Sequence, residues 1–236
     1  MDESGEHDAE GTLRRFTIGC AVATAEQWAR LQEEWEPTLR AYGVEDFHMK
    51  NFEARKGIYK DWTNEKRQAF LASLLAVISN YVPVFVGCNQ LPRDIGPGRG
   101  PLRQAYFLNL LKILTEFDRA HSDLLQGEPV TLVLAKHGDI SPIALQDWFA
   151  IFEQRVARHP IAFGGVDDPK RVPALQVADI VAYEFSRTSR AVRPEDERYP
   201  LVTLAAKARR FTLLDATFLY ERDDWSSGKA EPFRWL

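Results

Sequence analysis

Short apolar runs and longer amphipathic segments alternate along the chain. The apolar runs predict strands because they are short, rich in β-branched residues and bounded by turn residues. Apolar residues at helical spacing, several of them after a Ser or Thr that can cap a helix, predict the helices. Alternation of this kind is typical of an α/β domain with a largely parallel sheet. The predicted strands are residues 16–24, 82–88, 130–135 and 160–168, and the predicted helices are residues 25–43, 63–81, 102–125, 141–159, 172–190 and 201–211.

Helix starts and domain limits follow from the same pattern. Thr24 and Thr63 each stand just before a predicted helix and are predicted N-caps. Residues 44–62 mix aromatic and polar residues without a regular period, so they are predicted to form a short extended piece and an irregular segment. No repeat, low-complexity segment or linker divides the chain. We therefore predict one domain over residues 1–236, with a C-terminal extension from about residue 193.

Composition restricts the partners and the compartment that the chain suits. Hydrophobic residues make up 45% and charged residues 27%, as in ordinary globular proteins, and the formal net charge is −4. A net negative charge gives no overall attraction to nucleic acid, so that partner would need a local basic patch or metal ions. Cys20 and Cys88 lack the spacing of a metal site or of a disulfide framework, and no segment is long enough for a membrane span. We predict a cytoplasmic protein without membrane association.

A carboxylate lies within the most apolar of the predicted helices. The segment PALQVADIVAYEFSR is apolar nearly all round and should therefore be buried. Gln176, Asp179 and Tyr183 recur at helical spacing as one polar stripe, whereas Glu184 lies off that stripe. A buried carboxylate without a partner costs several kcal/mol or becomes neutral. Asp179 is thus predicted to pair with a basic side chain, with backbone donors or with a metal ion.

Three motifs occur in order along residues 2–190. DESG stands at the start, FHMKNF follows some forty residues later, and LQVADIVAYE lies in the last predicted buried helix. Together, at these spacings, they resemble the family catalogued as domain of unknown function 3800. That resemblance implies a ribonuclease H-like fold, with a mixed sheet and helices on both faces. It also implies a metal-dependent nuclease, often from a phage or prophage setting, with nucleic acid as its partner.

The resemblance assigns candidate roles to residues of these motifs. Ribonuclease H-like sites gather carboxylates around Mg²⁺, or Mn²⁺ in its place, because such ions prefer oxygen ligands. We expect Asp2 of the first strand and Asp179 of the last helix to share an ion, with their carboxylates within roughly 6 Å of each other. Asp2 and Glu3 point to opposite faces of a regular strand, so Asp2 alone is expected at the ion. His48 is expected to transfer a proton or position the substrate, although a lone His between apolar residues is more often a packing residue.

Further polar residues complete the predicted site. Asp139 lies beyond the third predicted strand, and Asp167 lies at the end of the fourth, where ligands of α/β proteins tend to bind. Both are predicted metal ligands. Lys136 stands where the resemblance leads us to expect an acid, and a lysine can replace the charge of a metal ion. Ser4, Lys136 and Gln176 are predicted to contact the substrate.

Two classes of function remain open at this point. One is Mg²⁺-dependent cleavage of phosphodiester bonds in a nucleic acid. The other is a catalytically silent ribonuclease H-like module that binds nucleic acid or a protein partner. The two motif carboxylates favour the first class, and the altered third strand favours the second. Other chemistries are less well supported, because the Gly-rich loop at 96–101 lacks the Lys and Ser or Thr of a phosphate-binding loop and no G-x-S-x-G turn occurs.

Overall fold

The strands of the protein lie on the apolar runs of the sequence. The computed structural model describes residues 1–7, 13–90, 101–120, 130–137, 140–155, 161–188, 199–214 and 219–220. The strands are β1 (Asp2–His7), β2 (Leu13–Val22), β3 (Val84–Gln90), β4 (Val130–Ala135), β5 (Ile161–Asp167), β6 (Arg210–Leu214) and β7 (Leu219–Tyr220). Four of these coincide with the predicted runs, and β1 carries the DESG motif.

The amphipathic segments form the helices. These are α1 (Ala25–Ala41), α2 (Met49–Glu53), α3 (Asn64–Tyr81), α4 (Pro101–Ala120), α5 (Pro142–Arg155), α6 (Pro173–Thr188) and α7 (Tyr199–Lys207), with a 3-10 turn at Gly57–Tyr59. Both predicted caps are confirmed: the hydroxyl of Thr24 accepts a hydrogen bond from the Gln27 amide, and that of Thr63 from the Lys66 amide. In the part of the chain that the structure describes, no helix is both long and apolar enough to cross a membrane.

The larger sheet is mixed, which confirms the mixed sheet that the resemblance implies and corrects the largely parallel sheet that the alternation of strands and helices indicates. β1 pairs with β2 and β2 pairs with β3 in antiparallel fashion, whereas β3 with β6 and β4 with β5 are parallel pairs. Alternation of strands and helices failed as a guide because two long helices, α1 and α3, separate β2 from β3. These two helices return the chain to the end of the sheet at which β2 stops, because Val22 pairs with Val84. β3 therefore runs antiparallel to β2.

The C-terminal segment joins the sheet. The helix predicted over residues 201–211 ends at Lys207, and Arg210–Leu214 forms strand β6 instead. β6 pairs with β3, and β7 pairs with β6. The segment predicted as an extension therefore supplies strands to the same sheet as the DESG motif.

Backbone hydrogen bonds at Met1 connect the two hydrogen-bonded sheets. The first has the strand order β1-β2-β3-β6-β7, and the second consists of β4 and β5. The nitrogen of Met1 donates to the oxygen of Val133 at 2.9 Å, and the nitrogen of Ala135 donates to the oxygen of Met1 at 2.9 Å. This is the pattern of neighbouring parallel strands. The start of β1 therefore lies beside the end of β4.

Hydrophobic residues are buried on both faces of the larger sheet. Alternate residues of β3 show this directly, since Phe85 packs into one cluster while Val84 and Val86 pack into another. The first cluster includes buried residues of α1, α3, α6 and α7, and the second includes those of α4 and α5. The helices therefore cover both faces.

Two glycines let helix α6 approach the sheet closely. A Cβ atom on Gly19 would overlap the backbone of Ala182, and one on Gly87 would overlap the ring of Phe185. Gly19 lies directly opposite Asp2 in the β1–β2 ladder, and opposite residues point to the same face. Asp2 therefore faces α6, close to the turn of helix that carries Asp179.

Candidate functional site

The first strand and helix α6 bring Asp2 and Asp179 together. Ala182 sits over Gly19, and Asp179 lies one helical turn before Ala182 on the same face of α6. The charge of Asp179 accordingly acts on Asp2 strongly enough to raise its pKa. The pairing of these two motif residues, far apart in sequence, follows from the glycine at the crossing of α6 and β2.

Asp179 is bound to the segment that carries the FHMKNF motif. Its side chain is 8% exposed, and Oδ2 accepts a hydrogen bond from the backbone nitrogen of Met49 at 2.6 Å. Nδ1 of His48 lies 3.2 Å from the same oxygen. The partner that the sequence required for this buried carboxylate is therefore a backbone donor together with a histidine. Both contacts use Oδ2, which leaves Oδ1 available to a further ligand.

The electrostatics of the site follow from burial and crowding of acids. Burial first, and the charge of Asp179 second, raise the pKa of Asp2 from 3.8 to about 7. The hydrogen bond to Asp179 is the largest cause that raises the pKa of His48 above its ordinary value. The His48 side chain is 49% exposed, so a molecule in solution can reach it.

Glu3 alternates with Asp2 along β1, yet its carboxyl group hydrogen-bonds with that of Asp2 and belongs to the same electrostatic system. Burial, and then the charge of Asp2, raise the pKa of Glu3 well above its usual range. Nε2 of His137 lies 3.6 Å from its carboxylate. His137 follows strand β4, whose end lies beside Met1. The sequence did not predict Glu3 or His137 as part of the site. The pairing of β1 with β4 brings these two residues together, and no sequence motif indicates that pairing.

Gln176 does not present a free amide to a substrate. It is 2% exposed, and its Oε1 accepts hydrogen bonds from Nε1 of Trp35 at 2.9 Å and from the nitrogen of Phe47 at 3.1 Å. Its Nε2 donates to the backbone oxygens of Pro169 and Lys170 at 3.1 and 3.3 Å. A side-chain amide has two donor hydrogens and two acceptor positions, so all four are used. The amide of Gln176 is therefore fully hydrogen-bonded within the protein, and its contact with a substrate stays a prediction.

The remaining predicted residues that the structure describes lie on β1 and at the ends of β4 and β5. Ser4 is on the same face of β1 as Asp2 and lies opposite Thr17. Lys136 is exposed immediately after β4, and its backbone nitrogen donates to the oxygen of Asp167. The Asp167 carboxylate is exposed and accepts a hydrogen bond from the Asp168 amide at 2.7 Å, a local turn contact. Asp139 lies outside the described residues.

The donor set suits a hard divalent cation with few protein ligands. Among the residues that the structure describes, no group of three or more His, Cys, Asp or Glu side chains could hold a metal ion. Mg²⁺, however, commonly uses one or two carboxylates and keeps several waters. Asp2 and Asp179 supply such a pair, and their mutual repulsion is what a bound cation relieves.

Comparisons with known proteins identify no relative of this chain. No protein-family model matches the sequence, and no curated protein and no solved structure is significantly similar to it.

The raised pKa of Asp2 predicts how the stability of the metal-free protein depends on pH. The folded state holds this proton more tightly than the unfolded state, so the contribution to stability is full below about pH 4 and is lost as pH rises through 7. His48, whose pKa is also raised, changes stability in the same direction. Between pH 4 and 8, wild type should lose up to about 4 kcal/mol of unfolding free energy relative to Asp2→Asn. Urea unfolding at several pH values, with EDTA present, measures this difference, and parallel pH profiles would contradict it.

Proposed function

We propose that this protein is a Mg²⁺-dependent hydrolase that cleaves phosphodiester bonds in a nucleic acid. The observation that carries the proposal is the pairing of Asp2 on β1 with Asp179 on α6, next to the half-exposed His48. Two acids that repel each other in a partly buried place destabilise the protein until a proton or a cation neutralises them, and such pairs cluster at functional sites. Carboxylates around a hard cation, with phosphate as an added ligand, are a common use of this arrangement.

The sheet supports the finer part of the proposal, a ribonuclease H-like fold. Strand β1 lies between antiparallel β2 and the end of β4, and helices cover both faces. This agrees with the mixed sheet implied by the resemblance to domain of unknown function 3800. All three motifs of that resemblance also meet at one place, because DESG faces α6 and the FHMKNF segment is hydrogen-bonded to Asp179 and Gln176.

Each residue of the site has a proposed role. Asp2 and Asp179 would hold the cation through the carboxylate oxygens that carry no hydrogen bond from the backbone. When bound, Mg²⁺ would activate water and stabilise the leaving oxygen of the phosphodiester. His48 is placed to exchange a proton with solvent or substrate beside that centre, since its ring is half exposed and anchored by Asp179. Lys136, exposed at the end of β4, is a candidate contact for a phosphate of the substrate.

A second candidate, a module that binds nucleic acid without cleaving it, also has an observation in its favour. The strand end of β4 carries Ala135 and Lys136 where a third carboxylate would strengthen metal binding. A lysine there adds a positive charge that attracts phosphate without a metal ion.

Cleavage assays with defined substrates separate the two candidates. Single-stranded DNA, duplex DNA, single-stranded RNA and an RNA–DNA hybrid are incubated with the protein and Mg²⁺ or Mn²⁺, with and without EDTA. We expect metal-dependent cleavage of at least one substrate and its loss in Asp2→Asn. Binding without cleavage by wild type would favour the silent module, and neither binding nor cleavage of any substrate would contradict both candidates.

A further inference from the structure

The amide of Gln176 joins three separate parts of the chain. It binds the indole of Trp35 on α1, the backbone of Phe47, and the turn at Pro169 and Lys170 between β5 and α6. Both partners of its oxygen are donors and both partners of its nitrogen are acceptors, so the pattern fixes the orientation of the amide. Trp35 is fully buried, which makes the attachment to α1 rigid.

Gln176 and Asp179 act on the same short segment. They lie three residues apart on α6, one turn of helix, and accept hydrogen bonds from the nitrogens of Phe47 and Met49 respectively. His48 lies between these two amides, and its ring contacts Asp179. Two attachment points on one helix therefore fix the backbone on both sides of His48.

Helix α2 by itself gives this segment little rigidity. It is only five residues long, and its N-cap residue, His48, makes no side-chain capping bond. Helices of this length are not stable without tertiary contacts. The contacts at Gln176 and Asp179, together with the aromatic packing of Phe47 and Phe52, supply them.

The Gln176 amide also contacts the turn at Pro169 and Lys170, which lies on the side of Asp179 away from His48. The turn at Pro169 and Lys170 follows Asp167, whose backbone oxygen accepts a hydrogen bond from Lys136. Gln176 therefore connects the His48 segment on one side of Asp179 with the strand ends of β4 and β5 on the other.

We propose that Gln176 is a positioning residue, which holds the His48 segment and the Pro169–Lys170 turn in fixed places around Asp179. That this geometry serves catalysis rests on the proposed function. The positional claim itself concerns only the folded protein, and it can be tested without metal or substrate. Displacements of about 1 Å in a supporting contact are enough to impair a catalytic group, so the effect of such a residue is large.

Amide hydrogen exchange of Met49, followed by NMR, is the decisive readout. The Met49 amide binds Asp179 and not Gln176, so a variant at Gln176 alters its exchange only by loosening the segment or by lowering global stability. Gln176→Met removes all four hydrogen bonds while keeping an unbranched side chain of similar length. Ile180→Val is the matched control. Ile180 is fully buried on the same helix, so this substitution should lower global stability without removing any hydrogen bond of the His48 segment.

We expect Met49 in Gln176→Met to exchange about tenfold faster than the change in global stability accounts for, as for the loss of one or two buried hydrogen bonds. Gln176→Glu keeps the oxygen that accepts from Trp35 and Phe47 but places its second oxygen against the carbonyl oxygens of Pro169 and Lys170, so it should restore only part of the protection. In Ile180→Val, Met49 exchange should follow global stability alone. If Gln176→Met does not fold, Trp35→Phe removes one donor to the amide, and about threefold faster exchange beyond the global change is expected. Met49 exchange that follows global stability in the Gln176 or Trp35 variant would overturn the proposal, whatever the outcome of the cleavage assays.

Discussion

Replacing Asp179 by asparagine is expected to abolish Mg²⁺-dependent cleavage while leaving the metal-free protein folded and nearly as stable as wild type. The amide keeps an acceptor for the Met49 nitrogen but removes the charge that would hold the cation. It also removes the repulsion that raises the pKa of Asp2 and the charge that attracts protonated His48, two effects of opposite sign. We expect a rate at least about a thousandfold lower and an unfolding free energy within about 1 kcal/mol of wild type.

Asp179→Ala is the matched comparison for stability. Alanine leaves the buried nitrogen of Met49 without an acceptor, and an unpaired buried donor costs about 1–3 kcal/mol. Thermal melts in EDTA at pH 8 should therefore rank wild type and Asp179→Asn together, with Asp179→Ala clearly below them. A large loss of stability in Asp179→Asn would show that the carboxylate charge is structural, and retained cleavage in that variant would contradict its assignment as a metal ligand.

Gly19→Ala is expected to be among the most destabilising single-methyl changes in the protein. The added Cβ would overlap the backbone of Ala182, and a backbone cannot turn aside as a side chain can. Either α6 moves away from the sheet or β2 distorts, so the free energy of unfolding should fall by about 3 kcal/mol or more. Because α6 carries Asp179 and β2 pairs with β1, the same displacement should separate Asp179 from Asp2 and lower the pKa of Asp2 toward its ordinary value.

Gly43→Ala provides the control for a glycine that has space around it. Gly43 has a φ of 73°, and a Cβ there would meet no atom within 4 Å. Only backbone strain should matter, at a cost of about 1 kcal/mol. Urea unfolding of the two variants tests the contrast. Equal losses of stability would mean that close packing of α6 on the sheet does not constrain the protein.

Four of the strands and the burial of Asp179 could be predicted because both leave strong local signals. Short, continuous apolar runs such as 130–135 are typical of strands buried in a sheet. Asp179 is a charged residue within an otherwise apolar helix, which predicts a buried carboxylate that needs a partner. Strand β6 was missed because ARRF follows a helical stretch without a break in its apolar spacing. Its strand conformation comes from pairing with β3, a contact between residues more than a hundred positions apart.

The role of Gln176 could not be found from the pattern for a related reason. A polar residue next to a candidate ligand on one helix stripe suggests a substrate contact, because a stripe gives no information about other segments. Its true partners, Trp35 on α1 and Phe47 in the irregular segment before α2, lie about 140 and 130 positions away. Polar residues in irregular segments are positioned by tertiary contacts, which spacing along the chain does not encode.

Calorimetric titration with Mg²⁺ and Mn²⁺ tests the central claim most directly, namely that Asp2 and Asp179 form a cation site. The titration is made at pH 8, where Asp2 is mostly ionised. Wild type should bind the ions, Asp2→Asn and Asp179→Asn should not, and Asp167→Asn should bind as wild type does because that carboxylate only caps a local turn. Absence of binding to wild type, or undiminished binding in both Asp2→Asn and Asp179→Asn, would contradict the account.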